Sequence, residues 1–139
     1  MWLFFALLSA IFAAAMSVLA KAGLKNLDST LVTTVRGMVM VGFLIIISLV
    51  LKKFQGFSLH SFSGREWLFV VLSGIAGALS WLCYFFALKY GLVSKVSAID
   101  RTSLIFSIIL AAIFLGEAIG WKVVLGAVLM IGGAILISL

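Results

Sequence analysis

The chain has 139 residues, of which 65% are hydrophobic and only 10% are charged. So few polar residues cannot cover the surface of a water-soluble fold of this size, and the composition therefore excludes a soluble globular protein. The net charge is +6, but the basic residues lie mostly in short breaks between apolar runs. This placement indicates contact with lipid head groups rather than with nucleic acid.

The apolar runs predict an all-α integral membrane protein that folds as a five-transmembrane-helix bundle. The runs reach or exceed the ~18 to 20 residues that cross a ~30 Å hydrocarbon layer as a helix. In chain order, we expect helices at residues 2–20, 30–51, 67–88, 96–115 and 121–139, which together form a single transmembrane domain over residues 1–139. The first run is longer than the ~7 to 15 residues of a signal-peptide core, so we expect it to be retained as a helix.

The stretch between the second and third helices, about residues 55–66, is the one expected loop of any length. It contains glycines, serines and His60, and we expect it at the membrane interface. His60 has no second metal ligand near it, so a surface position is favoured over a metal site, and we expect no metal and no cofactor. Cys83 is the single cysteine, which excludes an intrachain disulfide.

Small residues recur on several predicted helices at a spacing that lets helix backbones approach closely. They are, by helix, Ala6, Ala10 and Ala14 with Ser9, Ala13 and Ser17 in the first, Ser73, Gly74, Gly77 and Ala78 in the third, and Gly126, Gly132 and Gly133 in the fifth. The pattern predicts that helices associate, but it leaves open whether the partner helix belongs to the same chain. Because the chain has no proline, any bend must come from a glycine or a polar insertion.

The basic residues are divided nearly evenly between the two ends of the predicted bundle. One side holds Lys52, Lys53, Arg65 and Lys122, and the other holds Lys21, Lys25, Lys89 and Lys95, with Arg36 and Arg101 a little deeper. The two sides therefore tie at four each, or the second side leads slightly. The orientation of a membrane protein follows an excess of lysine and arginine on the cytoplasmic side, so this distribution specifies the orientation of the chain only weakly. We therefore expect dual insertion in opposite orientations, with a single orientation fixed by another determinant as the alternative.

Three charged residues, Arg36, Asp100 and Arg101, lie in apolar runs, where an uncompensated charge costs at least ~2.5 kcal/mol. Arg36 and Asp100 are expected on the same side, roughly 6 to 10 Å below the surface, and pairing of Asp100 with either arginine would reduce the cost. In one interpretation, cationic groups supported by Lys21 and by hydroxyls such as that of Ser103 face a cavity that suits an anionic ligand. In the other, these residues have structural positions near helix ends.

The predicted third helix carries the most aromatic stretch away from the ends of the chain. Trp81, Tyr84 and Phe85 fall on one helical face, which either lines a substrate cavity or forms bundle core. The candidate substrate-binding residues are Lys21, Arg36, Trp81, Tyr84, Asp100, Arg101 and Ser103. No catalytic residue is expected, because one histidine, one cysteine and four carboxylates provide no nucleophile–base pair or metal set, and an enzyme is disfavoured.

Several short motifs follow one another in the second half of the chain. They read Ala87-Leu88-Lys89-Tyr90-Gly91, Ser97-Ala98-Ile99-Asp100-Arg101, Phe114-Leu115-Gly116-Glu117, and Leu125-Gly126 to Gly132-Gly133. In order and spacing they resemble the EamA domain of the drug/metabolite transporter superfamily, and Lys21 and Arg36 look like that domain's lysine and arginine positions. The Ile-Asp-Arg form is similar to the short bacterial and archaeal branch with one domain. The proline that many members carry in the fourth helix is absent, with Leu104 near its place.

The resemblance implies carriage of small solutes by alternating access between two domains, which larger members carry in inverted orientation. We therefore hypothesise a secondary membrane transporter of small metabolites in a prokaryotic cytoplasmic (inner) membrane. It would work as a homodimer, and dual insertion would make that dimer antiparallel. In a sharper variant the substrate is an anion. The alternatives are a non-transporting membrane assembly subunit and a lipid-binding or flippase-type protein acting on a phosphorylated carrier.

Overall fold

The structure is a computed structural model that describes residues 1–24, 27–55 and 63–139. Its helices are α1 (Trp2–Gly23), α2 (Ser29–Val50), α3 (Gly64–Tyr90), α4 (Val93–Asp100), α5 (Ser103–Leu110), a π-helical turn (Ala111–Leu115) and α6 (Trp121–Ser138). The expectations for His60 and Lys25 lie outside the described residues. Within those ranges the chain forms helices and no strand, and five segments are long and apolar enough to cross a membrane, namely α1, α2, α3, Val93–Leu115 and α6. The predicted all-α five-helix membrane fold is confirmed.

The starts of α2 and α3 are fixed by side chains that bond the first free N–H groups of each helix. Asp28 precedes α2, and its Oδ1 accepts hydrogen bonds from the backbone N–H groups of Thr30 at 2.9 Å and Leu31 at 3.0 Å. Before α3, the Glu66 carboxylate accepts from the Ser63 N–H at 2.8 Å, while the Ser63 hydroxyl accepts from the Glu66 N–H at 3.3 Å. This reciprocal pair starts α3 at Gly64, ahead of the predicted start at residue 67.

Left-handed residues end two of the helical segments. Lys52 follows α2 with φ of 52°, and the N–H groups of Lys52 and Lys53 donate to the carbonyls of Leu49 and Ser48 at 3.0 and 2.9 Å. These bonds satisfy carbonyl oxygens that the helix end would otherwise leave without a donor. Gly116 closes the π-helical turn with φ of 68°, a conformation that glycine adopts without the steric cost of a Cβ.

The fourth span differs from the single continuous helix expected over residues 96–115. It is divided between Asp100 and Ser103, where Arg101 and Thr102 have ψ angles of −16° and −15°. The Thr102 N–H donates to the Ile99 carbonyl at 2.9 Å, and the Thr102 hydroxyl donates to the same oxygen at 2.7 Å. A three-residue spacing replaces the four-residue α-helical one, so a polar side chain interrupts this span where no proline is present.

The chain divides into two compact units, the first of which comprises Met1–Ala22 and Tyr90–Leu139. In this unit α4 packs against α6, and the Lys95 ammonium donates to the Ser138 carbonyl at 2.8 Å. The Lys21 ammonium similarly donates to the Gly91 carbonyl at 2.9 Å. Both lysines thus bind carbonyl oxygens at or just beyond a helix end, where a positive charge is favourable.

The second unit comprises Gly23–Lys89 and contains α2 and most of α3. Its buried apolar residues include Leu24, Phe85 and Leu88, of which Phe85 and Leu88 have no exposed surface. Most of the other apolar side chains of both helices are exposed, as expected where lipid is the solvent. Arg36 of α2 contacts the rings of Trp81 and Phe85 of α3.

Candidate functional site

A cavity lies between α2 and α3 in the second unit. Its volume is about 430 Å³, which lies within the range that small-molecule sites occupy. Its walls are formed, in chain order, by Thr33, Thr34, Gly37, Ser73, Gly74, Gly77, Ala78, Trp81 and Leu82. The α3 side of this wall consists of small residues followed by one large ring, that of Trp81.

The glycines of the cavity wall keep the space between the helices open. A Cβ atom placed on Gly37, Gly74 or Gly77 would meet no other atom within 4 Å in the described part of the chain. The small-residue face of α3 therefore makes no close backbone contact of the kind its spacing predicts with the residues described. The α3 small residues instead leave room for a ligand or for a helix of another chain.

The hydroxyl groups of the cavity wall already donate hydrogen bonds to backbone carbonyls of their own helices. Thr33 donates to the Ser29 carbonyl at 2.7 Å, Thr34 donates to the Thr30 carbonyl at 2.9 Å, and Ser73 donates to the Val70 carbonyl at 3.0 Å. Each bond satisfies the hydroxyl hydrogen inside its own helix, as serine and threonine commonly do in membrane spans. The oxygens retain lone pairs, so in this state these hydroxyls can only accept hydrogen bonds from a ligand.

Arg36 is the charged residue beside this cavity. Its guanidinium carbon lies 4.7 Å from the centre of the Trp81 ring and 4.9 Å from the centre of the Phe85 ring. Two such desolvated cation–π contacts are worth roughly 2 kcal/mol or more each. The Nη1 atom is buried and has no hydrogen-bond partner among the described residues, and an unsatisfied buried donor costs about 1 to 3 kcal/mol, or more when charged. The rings contact the cation without supplying an acceptor to its Nη1 atom.

The aromatic face of α3 is divided between buried core and the wall of a cavity. Phe85 is fully buried and meets the Tyr84 ring edge-to-face, with ring centres 6.2 Å apart. Trp81, one helical turn earlier, is half-buried and lines the cavity. Phe85 therefore acts as core beneath Arg36, and Trp81 separates Arg36 from the cavity.

The remaining predicted site residues lie in the first unit. The ammonium of Lys21 binds the Gly91 carbonyl. Asp100, Arg101 and Ser103 flank the interruption between α4 and α5, and all three are exposed. Arg36, Trp81 and Tyr84 thus belong to the second unit. Asp100, Arg101 and Ser103 belong to the first unit, at the interruption of the fourth span. The roles of all seven residues in binding stay predictions.

The sequence analysis did not select several residues of the cavity wall, among them Thr33, Thr34 and Gly37. A helical signal for two of them exists, because Thr33 and Gly37 are four residues apart and therefore lie on one face of α2, next to that of Arg36. The S-x-x-E pattern of Ser63 and Glu66 was likewise a readable sign of where α3 begins. Among the described residues no group of three or more His, Cys, Asp and Glu side chains could hold a metal ion.

A chain with five apolar helical spans is a multi-pass membrane protein. The model of the EamA-like transporter family matches residues 1–139. The chain is also 38% identical over 137 residues to a Sinorhizobium sp. protein named as an uncharacterized transporter in the cobO 3' region, and the alignment covers 99% of this chain and 96% of that relative. No solved structure matches the chain. The chain therefore belongs to the EamA-like transporter family, which confirms the resemblance and indicates a membrane transporter rather than an enzyme.

Proposed function

We propose that this protein is a secondary transporter of small metabolites that works by alternating access as a homodimer of two oppositely oriented copies. Its place would be the cytoplasmic membrane of a prokaryote, and residues 1–139 would act as one transmembrane repeat. Family membership and the printed name of the Sinorhizobium sp. relative support transport in general. The dimer and its geometry are supported by separate physical observations.

The observation that carries the dimer is the exposed wall of the cavity. Ser73, Gly74 and Gly77 line the cavity and are also exposed in a single copy. A solute route through a membrane must be enclosed by protein, because lipid cannot hydrogen-bond a polar solute. A second copy would close this wall, and the small residues of α3 allow a neighbouring helix to approach closely.

The charge distribution supports opposite orientation of the two copies. Four lysines or arginines lie near the surface on each side of the predicted bundle, with Arg36 and Arg101 deeper on one side, so neither side has the clear excess that directs it to the cytoplasm. Transporters are commonly built of two inverted repeats around a midplane site. A chain with an odd number of spans and no charge bias would produce such a pair by inserting both ways.

The experiment for this proposal labels one residue at each end of the spans. In a Cys83→Ser background, Gln55→Cys reports the segment after α2 and Ser94→Cys, in the first turn of α4, reports the end of the spans reached after α3. Both residues are exposed. A membrane-impermeant maleimide is applied to intact spheroplasts, and total cysteine is titrated after solubilisation. Dual insertion predicts that each variant is labelled to about half, and single-molecule photobleaching in liposomes should show two steps per particle.

The outcomes that contradict the proposal are equally specific. Full labelling of one variant with none of the other would exclude opposite orientation of the copies. Single-step photobleaching at every protein density would exclude the homodimer, and transport by such a monomer would assign the route to one copy. The Cys83→Ser parent, which has no cysteine, is the matched control for maleimide that reacts nonspecifically.

A further inference from the structure

The depth of the Arg36 guanidinium sets it apart from other basic groups of the chain. Trp81 and Phe85 precede Tyr90, the last residue of α3, by nine and five residues, which places them about 14 and 8 Å below that helix end. An arginine near a membrane surface normally extends along its stem so that the charge reaches water. Arg36 instead points its charge at the rings of α3, so the guanidinium is held within the apolar layer.

The rings lie over this cation but supply no acceptor to its buried Nη1 atom. A guanidinium carries five N–H donors in one plane, and an aromatic face meets its charge without replacing an oxygen acceptor. The Nη1 atom is buried and has no partner among the described residues. Because no oxygen is supplied to this nitrogen, the local environment is incomplete for a buried arginine.

Two other basic residues of this chain have the oxygen acceptors that the Nη1 atom of Arg36 lacks. Lys21 and Lys95 each donate to a backbone carbonyl, at 2.9 and 2.8 Å. Arg65 also lies over a ring, 5.7 Å from the centre of Phe69, but it is exposed near the start of α3 where water can satisfy it. The contrast identifies Arg36 as a half-buried cation whose buried Nη1 atom lacks an acceptor among the described residues.

The cavity provides the place from which an acceptor would come. Trp81 contacts Arg36 and also lines the 430 Å³ cavity, so this ring is the contact shared by the guanidinium and the cavity. Arg36 itself lines a second cavity of about 410 Å³, whose other lining residues are glycine, leucine and valine. The cavity wall contains no carboxylate that would compete for the cation. The hydroxyls of the wall are neutral and do not repel a negative charge.

We infer that Arg36 binds a carboxylate or phosphate group of a ligand held in this cavity, with Trp81 and Phe85 keeping the guanidinium in position. A guanidinium bonds such oxyanions with two parallel N–H···O contacts, the geometry for which its planar fork is suited. The inference rests on the proposed function in that the ligand would be the transported solute. The same oxyanion chemistry occurs in a lipid head group, and the experiment below separates the two sources.

The test uses Trp81 as its own reporter. The protein carries four tryptophans, and Trp2→Phe, Trp67→Phe and Trp121→Phe leave Trp81 as the only one. The protein, purified in a neutral detergent, is titrated with inorganic phosphate and separately with acetate, at constant ionic strength set with sodium chloride. We expect a saturable change in Trp81 emission with at least one of the two anions, because the ring contacts the Arg36 guanidinium and also lines the cavity.

Variants of the two stacked arginines show whether the response belongs to Arg36. Arg36→Gln should weaken binding about tenfold or more, because it removes a charge-assisted hydrogen bond. Arg36→Lys should retain part of the affinity, since the charge stays and the fork is lost. Arg65→Gln, the matched arginine over Phe69, should leave the titration unchanged. The inference is overturned if neither anion gives a saturable response in the parent protein. It is also overturned if Arg36→Gln and the parent bind the anion with the same affinity.

Lipid composition separates the two sources of the oxyanion. The titration is repeated in nanodiscs of phosphatidylcholine alone and of phosphatidylcholine with phosphatidylglycerol. A titration midpoint that rises with phosphatidylglycerol assigns the site to a lipid head group, and an unchanged midpoint assigns it to a soluble anion. The residues proposed to bind the anion all lie in one copy, so the two proposals fail separately. A dimer that gives no anion response would contradict only this inference. A monomer that binds the anion would contradict only the proposed function.

Discussion

The guanidinium carbon of Arg36 lies 4.7 Å from the centre of the Trp81 ring, across the space between α2 and α3. This contact joins a residue of the second span to one of the third at a depth where an unpaired charge is costly. It also connects the buried cation to the cavity, because the same ring lines the cavity wall. The loss in the free energy of unfolding when Trp81 is replaced therefore measures how much this contact stabilises the protein around Arg36.

Trp81→Leu should lower the free energy of unfolding by about 2 kcal/mol or more, because it removes a desolvated cation–π contact and part of the packing around Arg36. Trp81→Phe should lower it by less, since a smaller ring remains over the guanidinium. Unfolding by sodium dodecyl sulfate in mixed micelles, followed by circular dichroism, measures both. Phe69→Leu is the matched control beneath the exposed Arg65, and an equal loss there would contradict a special role for the buried pair.

Thr102→Val should make the fourth span more nearly continuous. The Thr102 hydroxyl donates to the Ile99 carbonyl at 2.7 Å, and a valine of the same shape cannot make that bond. We expect amide hydrogen exchange in the peptide covering residues 99–105 to slow several-fold, as measured by mass spectrometry in detergent. Ser107→Ala is the control, because its hydroxyl donates to the Ser103 carbonyl inside the span. Equal exchange in Thr102→Val and the parent would show that the hydroxyl does not cause the interruption.

The spans were predictable because membrane insertion depends on long apolar runs, which a sequence displays directly. Each of the five predicted helices overlaps a span of the structure. The start of α3 was missed by a few residues because it is set by Ser63 and Glu66, whose pattern is local and was readable. The interruption at Thr102 was harder to predict, because a threonine in a membrane span more often bonds within an unbroken helix.

The site was predictable only as a set of residue types. Helical spacing placed Trp81 and Phe85 on one face of α3, and the cost of burying charge singled out Arg36. Spacing within one helix cannot say which face of α2 meets that aromatic face, since this depends on how two separate helices pack. The hydrogen bond from Lys21 to the Gly91 carbonyl could not be predicted for the same reason. A backbone carbonyl just beyond another helix carries no sequence signal.

Asp28 should make stability depend on pH below its ordinary pKa. The N–H of Leu31 bonds its carboxylate, and with the Thr30 N–H and the charge of Lys89 this lowers the pKa of Asp28 from its ordinary value of 3.8. A lowered folded-state pKa means that the ionised carboxylate stabilises the fold above the unfolded pKa, and that this contribution is lost as the pH falls through the folded value. The melting temperature should therefore fall as the pH is lowered below about 4.

Asp28→Asn is the matched variant for this effect. Its side-chain oxygen can still cap α2, but it does not titrate. The melting temperature of the parent should approach that of Asp28→Asn as the pH falls, while the two differ most near neutral pH. Thermal unfolding in detergent at several pH values measures the difference, and a parallel pH dependence of the two proteins would exclude Asp28 as its source.

Gly116→Ala should destabilise the protein, because Gly116 has φ of 68° and an L-residue with a Cβ pays about 1 to 2 kcal/mol in that left-handed conformation. A Cβ there would meet no atom within 4 Å in the described part of the chain, so steric contact with neighbours would not contribute. Gly126→Ala is the control, since Gly126 lies inside α6 with equally open space and alanine favours a helix. Unfolding by sodium dodecyl sulfate should therefore separate the two variants in opposite directions from the parent. If both variants lost stability equally, the backbone angle at Gly116 would not explain the loss, and closure of the π-helical turn would depend on something other than this residue.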